Sequence, residues 1–248
     1  MDLKLINITA SDIPDAWHQC IFKILDDGDR YVVQHGSFVG QTRLEFDNIT
    51  IFIKYPYAEP YDLMLPQIPI ALGIPNPVDD GYIEQYMPYL MTSEKEKDED
   101  YTYGERLNYL PYYCNYPQLS DRSQIEFWIK VLKDTPNTNQ AILQIARPED
   151  CHLPDPPCLR HIDMRIKDDT LIFYPYFRSW DLWGGLPANL GGIAVLQKYM
   201  ADEIGVKSGP IVASSKGLHI YGYVEDLARI RSYREGEKFV EHNRNRFF

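Results

Sequence analysis

Residues 156–189 read PPCLRHIDMRIKDDTLIFYPYFRSWDLWGGLPAN, and this stretch decides the fold. A lone cysteine, Cys158, follows two prolines and opens a strand. Ile162, Met164 and Ile166 fall on one face of that strand, and His161, Asp163 and Arg165 on the other. Lys167-Asp168-Asp169-Thr170 turns the chain back. On the return strand Ile172, Tyr174, Tyr176 and Arg178 share a face. An Arg closing a row of Tyr reads as a pocket wall, and a solvated edge strand would look similar. Ser179, Asp181, two glycines, Leu186-Pro187 and Asn189 then lead into a helix. The layout can bring a thiol, a guanidinium, a hydroxyl, a carboxylate and a carboxamide to one end of a sheet.

Downstream, Leu186–Met200 is apolar nearly all round, which predicts a buried central helix. Pro187 suits its first turn, and Gly191-Gly192 permits close packing. Pro210–Tyr223 reads as a strand with His219 and Tyr221 on one face. Val224–Ser232 reads as a short helix and residues 235–248 as peripheral.

Upstream, residues 11–26 form a helix capped by Ser11 or Asp12, with Trp17, Cys20, Ile21, Ile24 and Leu25 along one stripe. Its place in that stripe makes Cys20 a core thiol. Strands follow at Tyr31–Gln34, Phe38–Phe46 and Thr50–Ile53. The segment between them, with His35, Ser37 and Arg43 among glycines, reads as a hairpin turn or as an anion-binding loop. Residues 55–80 are an irregular Pro- and Tyr-rich segment. Asp79-Asp80 can cap a helix over Tyr82–Leu90. Residues 93–100, SEKEKDED, are a solvated charge run. A helix over 120–134, capped by Ser120 or Asp121, places Ile125, Trp128, Ile129 and Leu132 on one face. Ala141–Ile145 has strand length. The expected class is α/β (α+β): a mixed β-sheet with packed helices, in a single domain over residues 1–248.

The net charge of −11 argues against nucleic acid or an anionic membrane as partner. A small anionic ligand needs only a local Arg cluster. No stretch has the length of a membrane span, and the N-terminus lacks a signal-peptide core, so a cytoplasmic protein is expected. The 4 cysteines (Cys20, Cys114, Cys151, Cys158) form no CxxC pair and fit a reducing compartment.

Cys158 is the nucleophile candidate, since the prolines present it stiffly and Arg178 can favour the thiolate. The alternative is a structural cysteine. Cys151, His152, Cys158 and His161 could in principle ligate zinc, but adjacent Cys151-His152 is a poor spacing, so no metal is expected.

These motifs together (PPC, FRSWD, GGLPAN and HIY) resemble thymidylate synthase and the related pyrimidine-nucleotide hydroxymethylases. No gap is needed from Cys158 to Tyr221. YTYGERL near Tyr103 is also similar, and the earlier residues match more loosely, as in the short archaeal members. The resemblance implies the thymidylate synthase fold and a homodimer acting on a pyrimidine nucleoside monophosphate. Cys158 would add to C6 of the ring, with Tyr103 in the proton-transfer network at C5. Arg178 and Ser179 would bind the 5′-phosphate, and Asp181 would lie against the base. Asn189 would read N3 and O4, and His219 and Tyr221 would hold the sugar hydroxyl. A carboxamide gives one hydrogen bond and accepts another, which suits uracil, so dUMP is favoured over dCMP. The one-carbon co-substrate would be methylenetetrahydrofolate or methylenetetrahydromethanopterin. The product would be dTMP; the alternatives are a 5-hydroxymethyl nucleotide or a binding relative without turnover.

The sequence also departs from the family. Leu159 stands where synthases usually have His. Thr138 to Ala141 replace the paired arginines that cross the dimer. The family's catalytic glutamate finds no matching motif, with Glu84 its one candidate, and the chain ends in Arg246-Phe247-Phe248 without the usual apolar tail.

Overall fold

The structure, a computed structural model, describes residues 3–108 and 123–233. Its elements in chain order are β1 (Leu5–Ala10), α1 (Ile13–Asp27), β2 (Asp29–Val32), β3 (Thr42–Glu45) and β4 (Asn48–Ile53). Helices α2 (Tyr82–Met91), α3 (Tyr103–Asn108) and α4 (Gln124–Asp134) follow. Then come β5 (Ile142–Gln144), β6 (Leu159–Lys167), β7 (Thr170–Phe177), β8 (Trp180–Asp181), α5 (Gly185–Ile204), β9 (Lys207–Ser215), β10 (Leu218–Tyr221) and α6 (Gly222–Arg231). The protein is thus mixed α/β, as expected.

The strands divide between two mixed sheets. One has 6 strands in the order β1-β4-β9-β7-β6-β5, and the other has 4 in the order β2-β3-β10-β8. The β6–β7 hairpin forms in the expected register, with Ile162 opposite Pro175 and Lys167 opposite Thr170. Asp168 and Asp169 both take positive φ in its turn, the conformation that Asp tolerates better than most residues.

Several boundaries differ from the sequence reading. Pro210–Tyr223 is not one strand. Ser215 ends β9 in the large sheet, Lys216-Gly217 turns, and β10 joins the small sheet. Ser215 accepts the Gly217 N–H at 3.0 Å and fixes that corner. Phe38 lies in the β2–β3 turn and not in a strand. Residues 5–10, for which no element was expected, pair in parallel with β4. Gly81, in the left-handed region at φ 74, is the N-cap of α2, and neither Asp79 nor Asp80 caps it with its side chain. Ser120 and Asp121, the expected caps of α4, lie outside the described residues; Ser123 accepts the Glu126 N–H there. Cys114 and residues 235–248 also lie outside them.

α5 runs between the large sheet and α1, α2 and α4. It is buried on nearly every face, so its sequence has no polar stripe. A Cβ on Gly191 would fall 2.4 Å from Ile83 Cδ1, and one on Gly192 would fall 2.7 Å from Tyr86 Cε1. The paired glycines therefore bring α2 onto α5. Trp17 of α1 donates its indole N–H to the Trp183 carbonyl at 2.9 Å, tying α1 to the start of α5. Cys20 is fully buried in α1. The face of β7 carrying Tyr174 and Tyr176 points outward: Tyr174 is exposed and Tyr176 stacks on His161 at 5.6 Å. That row is the outer side of the sheet and not a pocket wall; only Arg178 at its end turns to the cluster described next. Among the described residues, no helix is long and apolar enough to cross a membrane.

Candidate active site

Cys158 sits just before β6, where Pro156 and Pro157 hold the approach extended. The Cys158 carbonyl accepts the Arg178 N–H at 2.8 Å, which closes the open end of the hairpin. The Arg178 guanidinium folds back over the same turn. Its Nε donates to the Pro156 and Pro157 carbonyls at 3.2 Å each. Its Nη2 donates to the Pro156 carbonyl and to Asp155 Oδ1 at 2.9 Å. Ser37 Oγ reaches the other Asp155 oxygen at 3.0 Å. The β2–β3 segment forms a hairpin turn, and Ser37 pins it to the segment before Cys158.

The thiol is half-buried. Burial pushes its pKa up; Arg178 and then Arg160 pull it down, while Asp155 and Asp181 push it up. The net shift is upward. Arg178 supplies the expected positive charge, but desolvation and the two carboxylates outweigh it.

Tyr103, from α3, accepts the Leu159 N–H at 3.2 Å. Burial, and then the neighbouring Cys158, raise its pKa well above the usual phenol value. The phenol is therefore neutral, and because it accepts the Leu159 N–H, its own proton is available. Tyr101 is likewise raised, by burial first and then by Cys158.

Asp181 ends β8 and caps α5. Its carboxylate accepts N–H groups from Trp183 at 3.3 Å and from Gly184 and Gly185 at 2.9 Å each. A carboxylate at a helix N-terminus is favoured by the helix dipole. Ser179 is half-buried beside it. In the run Leu186–Leu190, Asn189 alone is not fully buried. Its Oδ1 accepts the Trp180 indole N–H at 3.2 Å. The phenol of Tyr86 on α2 is raised by burial above all.

His219 is 2% exposed, and its Nδ1 lies 2.9 Å from the Gly217 carbonyl. Burial lowers its pKa, so the ring is neutral, Nδ1–H donates, and Nε2 is left as an acceptor. Among the described residues Nε2 has no hydrogen-bond partner. Tyr221 packs edge-on against His219 at 4.7 Å. Its phenol is pushed up to about 12, by burial first and then by Asp181.

The structure thus gathers Cys158, Tyr103, Arg178, Asp181, His219 and Tyr221 into one electrostatic neighbourhood, with Asn189 joined to it through Trp180. Sequence reasoning missed Asp155, Arg160, Trp180 and Tyr86. Tyr82, Tyr86 and Tyr89 follow helical spacing, which was a usable signal. Glu84 is exposed on α2, and Tyr86 takes the inward position instead. Leu159 is buried in the core. Cys151 is exposed, and among the described residues no group of three or more His, Cys, Asp or Glu could hold one metal ion.

Comparison with known proteins gives a consistent picture. The family profile for thymidylate synthase matches residues 15–243. A Methanococcoides burtonii protein named "Putative thymidylate synthase" is 32% identical over 221 residues, covering 87% of this chain and 89% of its own. A Methanosarcina barkeri protein of the same name is 31% identical, covering 89% and 91%. Thymidylate synthase of Listeria monocytogenes is 29% identical over 99 residues, 40% of this chain and 32% of that one.

Proposed function

The chain belongs to the thymidylate synthase family of enzymes, and from that premise we propose that it transfers a one-carbon unit to C5 of dUMP, giving dTMP. The observation that carries this reading is the half-buried Cys158 thiol in the field of Arg178, with the Tyr103 hydroxyl bonded to the N–H of the next residue, Leu159. In this reading Cys158 gives its proton to solvent, the thiolate Sγ bonds to C6, and the ring π electrons move to C5, which becomes a carbon nucleophile. The co-substrate, methylenetetrahydrofolate or methylenetetrahydromethanopterin, supplies the one-carbon unit and the hydride for a methyl product. Tyr103 serves the proton movement at C5 as a neutral hydroxyl. Later breakage of the Sγ–C6 bond frees the product.

Arg178 and Ser179 bind the 5′-phosphate, and Asp181 orders the turn beneath the base. Asn189 reads the ring edge, and the acceptor at His219 Nε2, with Tyr221, receives the sugar hydroxyl. The stacked rings of Tyr82, Tyr86 and Tyr89 suit a flat heterocyclic carrier. The exposed outer face of β7 supports the further reading that the protein works as a homodimer.

The test is incubation with C5-tritiated dUMP or dCMP and each carrier, with Cys158→Ala alongside. Tritium release from dUMP that vanishes in the variant supports the reading, and product mass separates methyl from hydroxymethyl. Nucleotide binding without release under any carrier would leave a binding relative instead.

A further inference from the structure

Trp180 lies inside the sequence motif that carries Arg178, Ser179 and Asp181, yet the chemistry above gives it no role. It is 2% exposed, and its ring stacks on Phe177 with centroids 4.0 Å apart and planes 4° from parallel. Its backbone is fixed as well, since the Trp180 N–H donates to the Gly217 carbonyl at 2.9 Å. The indole is therefore held on a face and at an edge, and its one polar atom is aimed at Asn189 Oδ1, 3.2 Å away.

An indole N–H can only donate. Whatever faces it must be an acceptor, so this contact decides which end of the Asn189 carboxamide is oxygen. Reversing the amide would set its NH2 group against the indole N–H, two donors with no acceptor between them, in a place largely closed to water. The second Oδ1 lone pair and the Nδ2 hydrogens then stand in a fixed order for a ligand. Uracil presents a donor at N3 and an acceptor at O4, which fits that order. Cytosine presents an acceptor at N3 and a donor at N4, which needs the reversed amide.

We propose that Trp180 is a specificity-determining positioning residue: its indole N–H locks the Asn189 carboxamide in the order that reads uracil and refuses cytosine. The inference rests on the reading of this pocket as a pyrimidine-nucleotide site. It adds that the carboxamide alone does not set the preference, because an unlocked amide can turn over and read either base.

The experiment is calorimetric binding of dUMP and dCMP to the wild-type protein and to Trp180→Phe. Phenylalanine keeps a ring against Phe177 and removes the donor together with the second ring of the indole. Wild type is expected to prefer dUMP by about a hundredfold, and the variant to lose about tenfold or more of that ratio, mostly by gaining dCMP. A purely structural role would weaken both nucleotides alike and leave the ratio unchanged, and that result overturns the lock. Failure of the wild type to bind either nucleotide overturns the pocket reading and the lock with it. Selective dUMP binding by wild type with an unchanged ratio in the variant removes the lock alone. Should Trp180→Phe not fold, hydrogen exchange of the indole N–H in the wild type decides the matter. The Trp180 indole N–H is expected to be protected from exchange with and without saturating dUMP. Rapid exchange in either state overturns the proposal.

Discussion

Asp155 and Arg178 form an ion pair of 2.9 Å at the mouth of the candidate site, and the Asp155 side chain is 54% exposed. The same carboxylate accepts from Ser37. A carboxylate of the chain therefore stands where an incoming phosphate would meet the guanidinium. Binding a phosphate requires Asp155 to move aside or to remain as a like charge nearby. Asp155→Asn is expected to bind dUMP about tenfold more tightly than wild type, with deoxyuridine unchanged. Titration of both ligands checks this; a weaker dUMP affinity would mean that Asp155 is needed to aim Arg178.

The thiol of Cys158 should titrate above the ordinary thiol range, because burial outweighs Arg178. Only the thiolate is alkylated, so iodoacetamide labelling should be slow at neutral pH. It should climb about tenfold per pH unit until the raised pKa is reached. Arg178→Ala removes the largest opposing influence and should move the midpoint higher. Asp155→Asn removes a raising influence and should move it lower. Labelling rates from pH 6 to pH 10 give all three midpoints.

Arg106 and Asp150 are paired at 2.8 Å with side chains 5% and 1% exposed. Asp150 also accepts the Arg147 N–H at 2.8 Å, which shapes the turn ahead of Cys158. Asp150→Ala removes the hydrogen-bonded partner of a buried guanidinium, leaving it only Glu105 at 3.7 Å, and should cost about 3 kcal/mol of stability. Urea unfolding followed by tryptophan fluorescence measures it.

Gly104 shows where small size is structurally required. A Cβ there would lie 2.1 Å from the Tyr89 carbonyl oxygen and 2.3 Å from that of Thr92. Backbone cannot yield as a side-chain tip does, so Gly104→Ala should cost about 2–3 kcal/mol and displace Tyr103 next to it. Gly191→Ala meets only the end of Ile83 and should cost less. Thermal melting of the two variants side by side compares them.

How far these sites were legible follows from the range of the forces involved. The β6–β7 hairpin, α1 and α5 are written in local periodicity, and a strand of period 2 or a helix buried all round can be read without its neighbours. Cys158, Arg178, Asp181 and Asn189 were legible because they stand on adjoining elements whose order fixes their approach. The division of residues 210–223 was not legible: both halves are β-forming, and the corner depends on Gly217, where a Cβ would lie only 3.3 Å from the Arg178 carbonyl oxygen. Nor could the sequence say that Tyr86 and not Glu84 faces inward, because the rotation of α2 is set by its seat on Gly192 of α5.

The sequence by itself determined the helices, the hairpin and the residue types that meet at its open end, since these rest on contacts near in the chain. Only the tertiary structure decided the two-sheet arrangement, the upward balance of charges on Cys158, the Asp155–Arg178 pair and the hold of Trp180 on Asn189. Each of those depends on desolvation and on hydrogen-bond geometry between segments that the linear order leaves free.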